Sequence, residues 1–326
     1  GSLLGTDFNA RLSPTVRLFG EGALSLTHEP NAPWISDQAG MFGNRTKALD
    51  GEQFMGYFGT LEVQKVTERW MLRAMTSHVG RDFRAEMGFR PSVDRRRAEV
   101  GGNIRAFPNG KWIKNYGVYY EVFGEQTMGG KTKQTGWMAD SWMQLAGSIN
   151  LSLGHYYRFM EEFKGSTFHW MPYTWGSVSY NPRQWLMLSY RTDFGQGLTR
   201  NADFVRAGDE RNGGFSAQFQ LAGKIRWTLG INHAQMRERD GSGSLIYRGY
   251  VARLVVHWGI SKAWSSRVVV QYDDFGQGWT VQPLVQYQPS PFTLIYTGAS
   301  LTPWDRSVFA KVQYQFEAFK SRKSQK

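Results

Sequence analysis

The sequence predicts an all-β protein, a transmembrane antiparallel up-and-down β-barrel of about 16 strands, within about 14 to 18. Three observations predict it. The last strand-like stretch places Val308, Ala310, Val312, Tyr314, Phe316 and Ala318 at every second position, with Lys311, Gln313, Gln315 and Glu317 between them. A strand sends successive side chains to opposite faces, so one face of this ribbon is apolar and the other polar. The pattern recurs from end to end with aromatic residues at the ends of the apolar rows, and no run of about 20 apolar residues offers a membrane helix.

The elements follow in order. Leu4, Phe8, Ala10 and Leu12 alternate with Asp7, Asn9 and Arg11, and Val16, Leu18, Leu24 and Leu26 alternate with Arg17, Glu21 and Ser25. Residues 28–51 hold Pro30, Pro33, Gly40, Gly43 and Asp50 and read as a long loop, long enough to fold inward. Met55, Tyr57, Leu61 and Val63 then oppose Glu62 and Gln64, and Trp70, Leu72 and Ala74 oppose Arg69 and Arg73. Ala98, Val100, Ile104 and Ala106 oppose Arg95, Arg97, Glu99, Asn103 and Arg105, and Tyr116, Val118, Tyr120 and Val122 oppose Asn115 and Glu121. Residues 131–163 fit two long strands, and Met171–Tyr180 with Leu186–Tyr190 fit a hairpin around Asn181-Pro182. Farther on, Phe215 to Leu221, Ile225 to Ile231, Tyr250 to Trp258 and Val268 to Tyr272 repeat the alternation against Lys224, Arg226, Arg253, His257, Arg267 and Asp273.

Connections come in two lengths. Pro108-Asn109-Gly110, Gly223 and Pro289-Ser290-Pro291 mark short ones; residues 28–51, 80–92, 197–212 and 236–244 mark long ones. Outer-membrane barrels have short periplasmic turns and longer extracellular loops, and an even strand count puts both termini on the periplasmic side. The stretch Asp-Phe-Gly-Gln-Gly occurs at 193–197 and 274–278, and both copies read as strand-end turns. Gly1-Ser2 reads as a scar of cloning, residues 3–319 as one barrel domain, and 320–326 as a disordered basic tail. No export signal follows Gly1-Ser2, so a natural N-terminus removed or lying upstream is expected.

Physics orients the ribbon. An Arg or Lys on the lipid face at mid-bilayer costs about 2–4 kcal/mol. About nine such placements would exceed a domain's whole stability of about 5–15 kcal/mol. The charged face is therefore the interior and the Val, Leu, Tyr and Trp face meets lipid. A soluble sandwich or propeller would reverse the faces, but no blade-length repeat and no dividing linker is present.

Composition agrees. The mean hydropathy of −0.48 would exclude a helical membrane protein but not a barrel, in which only alternate residues need be apolar. Cysteine is absent, which removes disulfides, thiolate zinc sites and thiol catalysis. The formal charge is +12, yet the cations are spread over many strands rather than gathered in one patch, which argues against nucleic acid.

Several stretches together resemble a bacterial family whose members carry an N-terminal module like family 9 carbohydrate-binding modules, followed by a domain of unknown function that forms an outer-membrane barrel. Val79 to Arg90, followed by Val93-Asp94-Arg95-Arg96, resembles its Gly-x-x-Phe-x-x-x-x-Gly-Phe segment leading into an Arg-bearing strand. Met171 to Trp175 with Tyr180-Asn181-Pro182-Arg183 is similar to its Pro-x-x-Tyr-x-Trp and Asn-Pro strand pair, and Arg306 to Phe316 to its terminal strand. The family's acidic Pro-Asp-Phe segment is not recognisable between His28 and Gly40, and no residues here resemble the carbohydrate-binding module. The resemblance implies a barrel in the bacterial outer membrane.

The candidate site is the interior. Its basic residues are Arg17, Arg69, Arg73, Arg95, Arg97, Arg105, Lys224, Arg226, Arg253, Arg267 and Lys311; its acids are Glu21, Glu62, Glu99, Glu121, Asp273 and Glu317. Two readings stand: a net basic, porin-like lumen drawing small anionic or polar solutes, or a ladder of ion pairs filling the barrel. In a scaffold version the lumen or rim holds a partner protein, an exported polymer or the N-terminal module. Trp112, Trp137, Trp142, Trp170, Trp175, Trp258, Trp264, Trp279 and Trp304 lie near strand ends and predict an aromatic girdle at the lipid boundary. No metal, cofactor or catalytic motif is predicted. None of the six histidines has metal-ligand spacing, and Asp273-Asp274 is the one pair that resembles the paired carboxylates of a hydrolase.

Overall fold

The structure, a computed structural model, describes residues 1–32, 34, 41–42, 45–46, 49–84, 93–200, 205–239 and 241–315. Glu317 and the tail 320–326 lie outside the described residues, as does much of 28–51 and 80–92. The strands are β1 (Ser2–Arg11), β2 (Val16–His28), β3 (Met41–Phe42), β4 (Arg45–Thr46), β5 (Gln53–Val66), β6 (Trp70–Val79), β7 (Arg95–Ala106), β8 (Ile113–Gln126), β9 (Thr132–Leu145), β10 (Ile149–Phe163), β11 (Ser166–Arg183), β12 (Leu186–Leu198), β13 (Ala207–Leu221), β14 (Ile225–Glu238), β15 (Leu245–Gly259), β16 (Trp264–Asp273), β17 (Gly278–Ser290), β18 (Thr293–Leu301) and β19 (Arg306–Tyr314). β3 and β4 form a small hairpin of their own, and the other 17 belong to one antiparallel up-and-down sheet. The chain divides into two compact units, the first comprising 1–145, 152–174 and 195–207, the second 146–151, 175–194 and 208–326.

In the first unit β1 pairs with β2, β2 with β5, and each strand with the next through β9. In the second, β13 through β19 pair in sequence. Register carries each face intact from strand to strand. Phe19 stands opposite Glu62, Glu62 opposite Met75, Met75 opposite Glu99 and Glu99 opposite Phe123.

Burial shows which face is sheltered. On β8, Tyr116, Val118, Tyr120 and Val122 are 44%, 45%, 44% and 58% exposed, whereas Glu121 and Phe123 are 7% and 4% exposed. Met55, Tyr57, Leu61 and Val63 on β5 are likewise exposed. The apolar row faces out and the charged row is covered, the reverse of a protein dissolved in water.

Two details differ from the sequence reading. The β11–β12 turn falls at Gln184-Trp185, and Asn181-Pro182 lies inside β11, where the amide of Asn181 bonds the carbonyl of Ser148 at 3.1 Å. Proline is tolerated there because it sits near the strand's end, where a missing donor leaves few ladder bonds unmade. The first Asp-Phe-Gly-Gln-Gly copy continues β12 and only the second is a turn. Among the described residues the sheet has 17 strands, within the expected 14 to 18.

The outward face of β8 yields a prediction. Val118→Arg should destabilise the protein in lipid by about 2–4 kcal/mol. Denaturant unfolding in vesicles measures it. A neutral result would mean Val118 faces water.

Candidate functional site

The charged centre of the first unit's polar face is built by three neighbouring strands. β6 supplies Arg73, β7 supplies Arg95, Arg97 and Glu99, and β8 supplies Tyr119, Glu121 and Glu125. Arg73 donates to Glu99 and, at 3.0 Å, to Glu121. Arg97 donates to Glu99 at 2.8 Å and to Glu121 at 3.2 Å. Each carboxylate thus bridges the same two guanidiniums, closing a ring of four charges. Tyr119 donates its hydroxyl to Glu121, Arg95 and Arg97 approach Glu125 at 3.6 Å and 3.9 Å, and Arg97 lies 4.6 Å over the Phe123 ring. Glycine makes room elsewhere on this face: a Cβ on Gly117 would collide with the Trp142 ring.

β10 adds a second sheltered cluster that the sequence reading misses. Arg158 pairs with Glu161 and donates to the carbonyl of Gln196 at 2.9 Å, and Arg200 reaches Glu161 at 2.6 Å. A signal for it is present, since Arg158 alternates with Tyr157 and Phe159.

The second unit is different. Arg226 stands opposite His257, and His257 opposite Arg267, so three basic side chains adjoin across β14, β15 and β16. Arg253 lies on the same face, opposite Gln271. Among the described residues none of these cations forms an ion pair. A cavity of about 170 Å³ lined by His257, Arg267, Ser265, Leu284 and Gln286 opens beside them. Alternation alone puts His257 on the polar side of its strand beside Arg253; register is what sets it opposite two arginines.

Other candidates scatter. Arg17 is exposed opposite Arg11, Glu21 is exposed opposite Asp7, and Arg69 and Lys224 sit in turns. Arg105 donates to the carbonyl of Thr67 at 3.3 Å, Gln64 donates to Glu62, and Lys311 lies 5.9 Å over the Tyr296 ring. Asp273 accepts the amides of Phe275 at 2.9 Å and Gly276 at 3.3 Å, so it caps its own turn instead of pairing an interior cation.

The tryptophans divide too. Trp258 and Trp264 lie on the apolar face at the short-turn end of β15 and β16, with Trp264 stacked on Tyr287 at 4.5 Å. Tyr250, Tyr272 and Trp279 form a second aromatic line at the other end, at 5.7 Å and 5.0 Å. Tyr250 and Trp258 share one face of β15, eight residues apart. That is roughly 27 Å along the strand, or roughly 20 Å of membrane depth at a tilt of about 40°. Trp137 and Trp170 join Tyr157 on the apolar face of the first unit, Trp175 is half-buried on β11, and Trp112 and Trp304 occupy turns. Trp142 is a correction: it lies opposite Gly117, on the polar face, because its position has the parity of Asp140 and not of Trp137.

No protein-family model matches the sequence, and a search of curated proteins finds no match. Solved structures do match. A variant of the ferric enterobactin receptor PfeA from Pseudomonas aeruginosa matches with a TM-score of 0.55 at 10% identity, over 91% of this chain and 57% of that one. The siderophore receptor PirA from Acinetobacter baumannii matches at 0.52 and 8% identity over the same shares. The chain spans a little over half the length of these receptors. The likeness is one of fold, and the fold is that of a transmembrane outer-membrane β-barrel.

The charge ring yields a second prediction. Arg97→Met leaves Glu99 and Glu121 each short of a donor in a sheltered place, and should destabilise by about 3 kcal/mol. Equilibrium unfolding in detergent measures it. A change below about 0.5 kcal/mol would mean the pairs are solvated.

Proposed function

We propose that this chain is a bacterial outer-membrane barrel that passes small anionic or polar solutes, with the basic row of the second unit as the surface they meet. One observation carries the reading: Arg226, His257 and Arg267 adjoin across three strands with no ion pair among the described residues. Fixed cations on a low-dielectric wall raise the local concentration of anions. Arg73, Arg95 and Arg97 of the first unit do not share this task, because Glu99, Glu121 and Glu125 neutralise them.

A transport role accords with the structural neighbours, which are named as receptors for ferric enterobactin and for siderophores. The solute class proposed for this chain rests on its charge. Kinship with the family that joins a family-9-like module to a barrel is part of the same proposal, supported by the motifs at 79–90 and 171–175. A hydrolase is disfavoured, since Asp273 is engaged by its own turn.

A second reading is favoured by a different observation. Phe83, 2% exposed, packs against Phe58, Val79 and Val93 on the polar face, where a Cβ on Gly56 would collide with the Phe83 backbone. The β6–β7 connection therefore covers part of that face, as a scaffold closed by its own loop requires.

Planar-bilayer recordings separate the two. The channel reading expects a steady current with anion preference, and a loss of that preference in Arg226→Gln/Arg253→Gln/Arg267→Gln. An unchanged reversal potential in that variant would overturn it. A barrel that conducts only after residues 81–84 are replaced by glycines would establish the scaffold instead.

A further inference from the structure

At the rim bearing the long connections of the first unit, three carboxylates meet where β2 leaves the sheet and β5 enters it. Glu29 follows β2 and Glu52 precedes β5, joined by the Glu29 amide on the Glu52 carbonyl at 3.0 Å. Asp50 is bridged to Asn31 one step farther out. One carboxylate oxygen from each of Glu29, Asp50 and Glu52 lies within 4.8 Å of the others.

Among the described residues, two arginines reach the two glutamates of this cluster. Arg84 pairs with Oε1 of Glu29, and Arg45 approaches Oε1 of Glu52 at 3.5 Å while donating to Asp82 at 3.2 Å. Oε2 of Glu29 and Oε2 of Glu52 are shut off from solvent and accept no hydrogen bond among the described residues. Glu29 is 3% exposed. A buried carboxylate oxygen without a partner is destabilising, and Glu29 and Glu52 of this cluster carry one each.

We propose that Glu29, Asp50 and Glu52 bind one calcium ion. Two oxygens each about 2.4 Å from an ion can be no farther apart than about 4.8 Å, and these three meet that limit. The donors are all oxygen, with no imidazole or thiolate among them, which suits a hard cation. Calcium accepts irregular oxygen sets, whereas magnesium demands near-octahedral geometry and keeps its waters. The ion would satisfy both orphan oxygens. It would also tie the stem of the 28–51 connection to the β6–β7 connection through Arg84, whose amide donates to Ser25 at 3.0 Å.

Calorimetric titration of the full chain in detergent, stripped with EDTA, tests this with calcium chloride alone. One saturable site per chain is expected, with Kd of about 0.1–1 mM and a higher unfolding temperature with calcium than with EDTA. Asp50→Asn and Glu52→Gln should each weaken binding at least tenfold, whereas Asp305→Asn, in the β18–β19 turn, should not change it. Absence of saturable binding in the wild-type chain, or undiminished binding in both variants, overturns the site. Equal affinity for magnesium overturns the assignment to calcium. Because the wild-type titration and its unfolding shift decide the matter first, a variant that fails to fold does not shield the proposal.

Discussion

A strand cannot turn one side chain outward without turning its neighbours inward. Hydrocarbon adds a second demand, that every backbone amide and carbonyl find its partner within the sheet. Together they dictate this molecule: antiparallel ladders supply the backbone partners, and period-two alternation sorts charge from grease. The row Val118, Tyr120, Val122 and the row Tyr119, Glu121, Phe123 are one segment obeying both demands at once.

Within the polar face the two units treat charge differently. In the first, Arg73, Arg97, Glu99 and Glu121 cancel one another within a few ångströms, and the gain is rigidity across three strands. In the second, Arg226 and Arg267 flank His257 with no such cancellation among the described residues. A formal charge of +12 is thus a poor guide to where the field is. The excess becomes chemically available only where acids are missing, and that is a property of register.

This division also explains what can be read from the sequence. Faces are legible because parity is local: Arg73, Glu99 and Glu121 can each be assigned to the polar side from a few neighbours. Partners are not. Arg73 and Glu121 lie 48 positions apart and meet only because β6, β7 and β8 pair in one register. Nearness to a strand end puts Trp142 in the girdle, whereas parity puts it on the polar face, and parity wins. The Asn181-Pro182 pair misleads because a proline near a strand end looks like a proline in a turn. The carboxylates at 29, 50 and 52 flank a long connection, and no short motif unites residues that only a hairpin stem brings together.

The two aromatic lines on β15 to β17 have a consequence for the surrounding lipid. An apolar band of roughly 20 Å is thinner than the hydrocarbon layer of an average bilayer, about 30 Å. A protein with that mismatch draws the leaflets together around itself or gathers short acyl chains. It fits a thin membrane best, and the bacterial outer membrane is thinner than average.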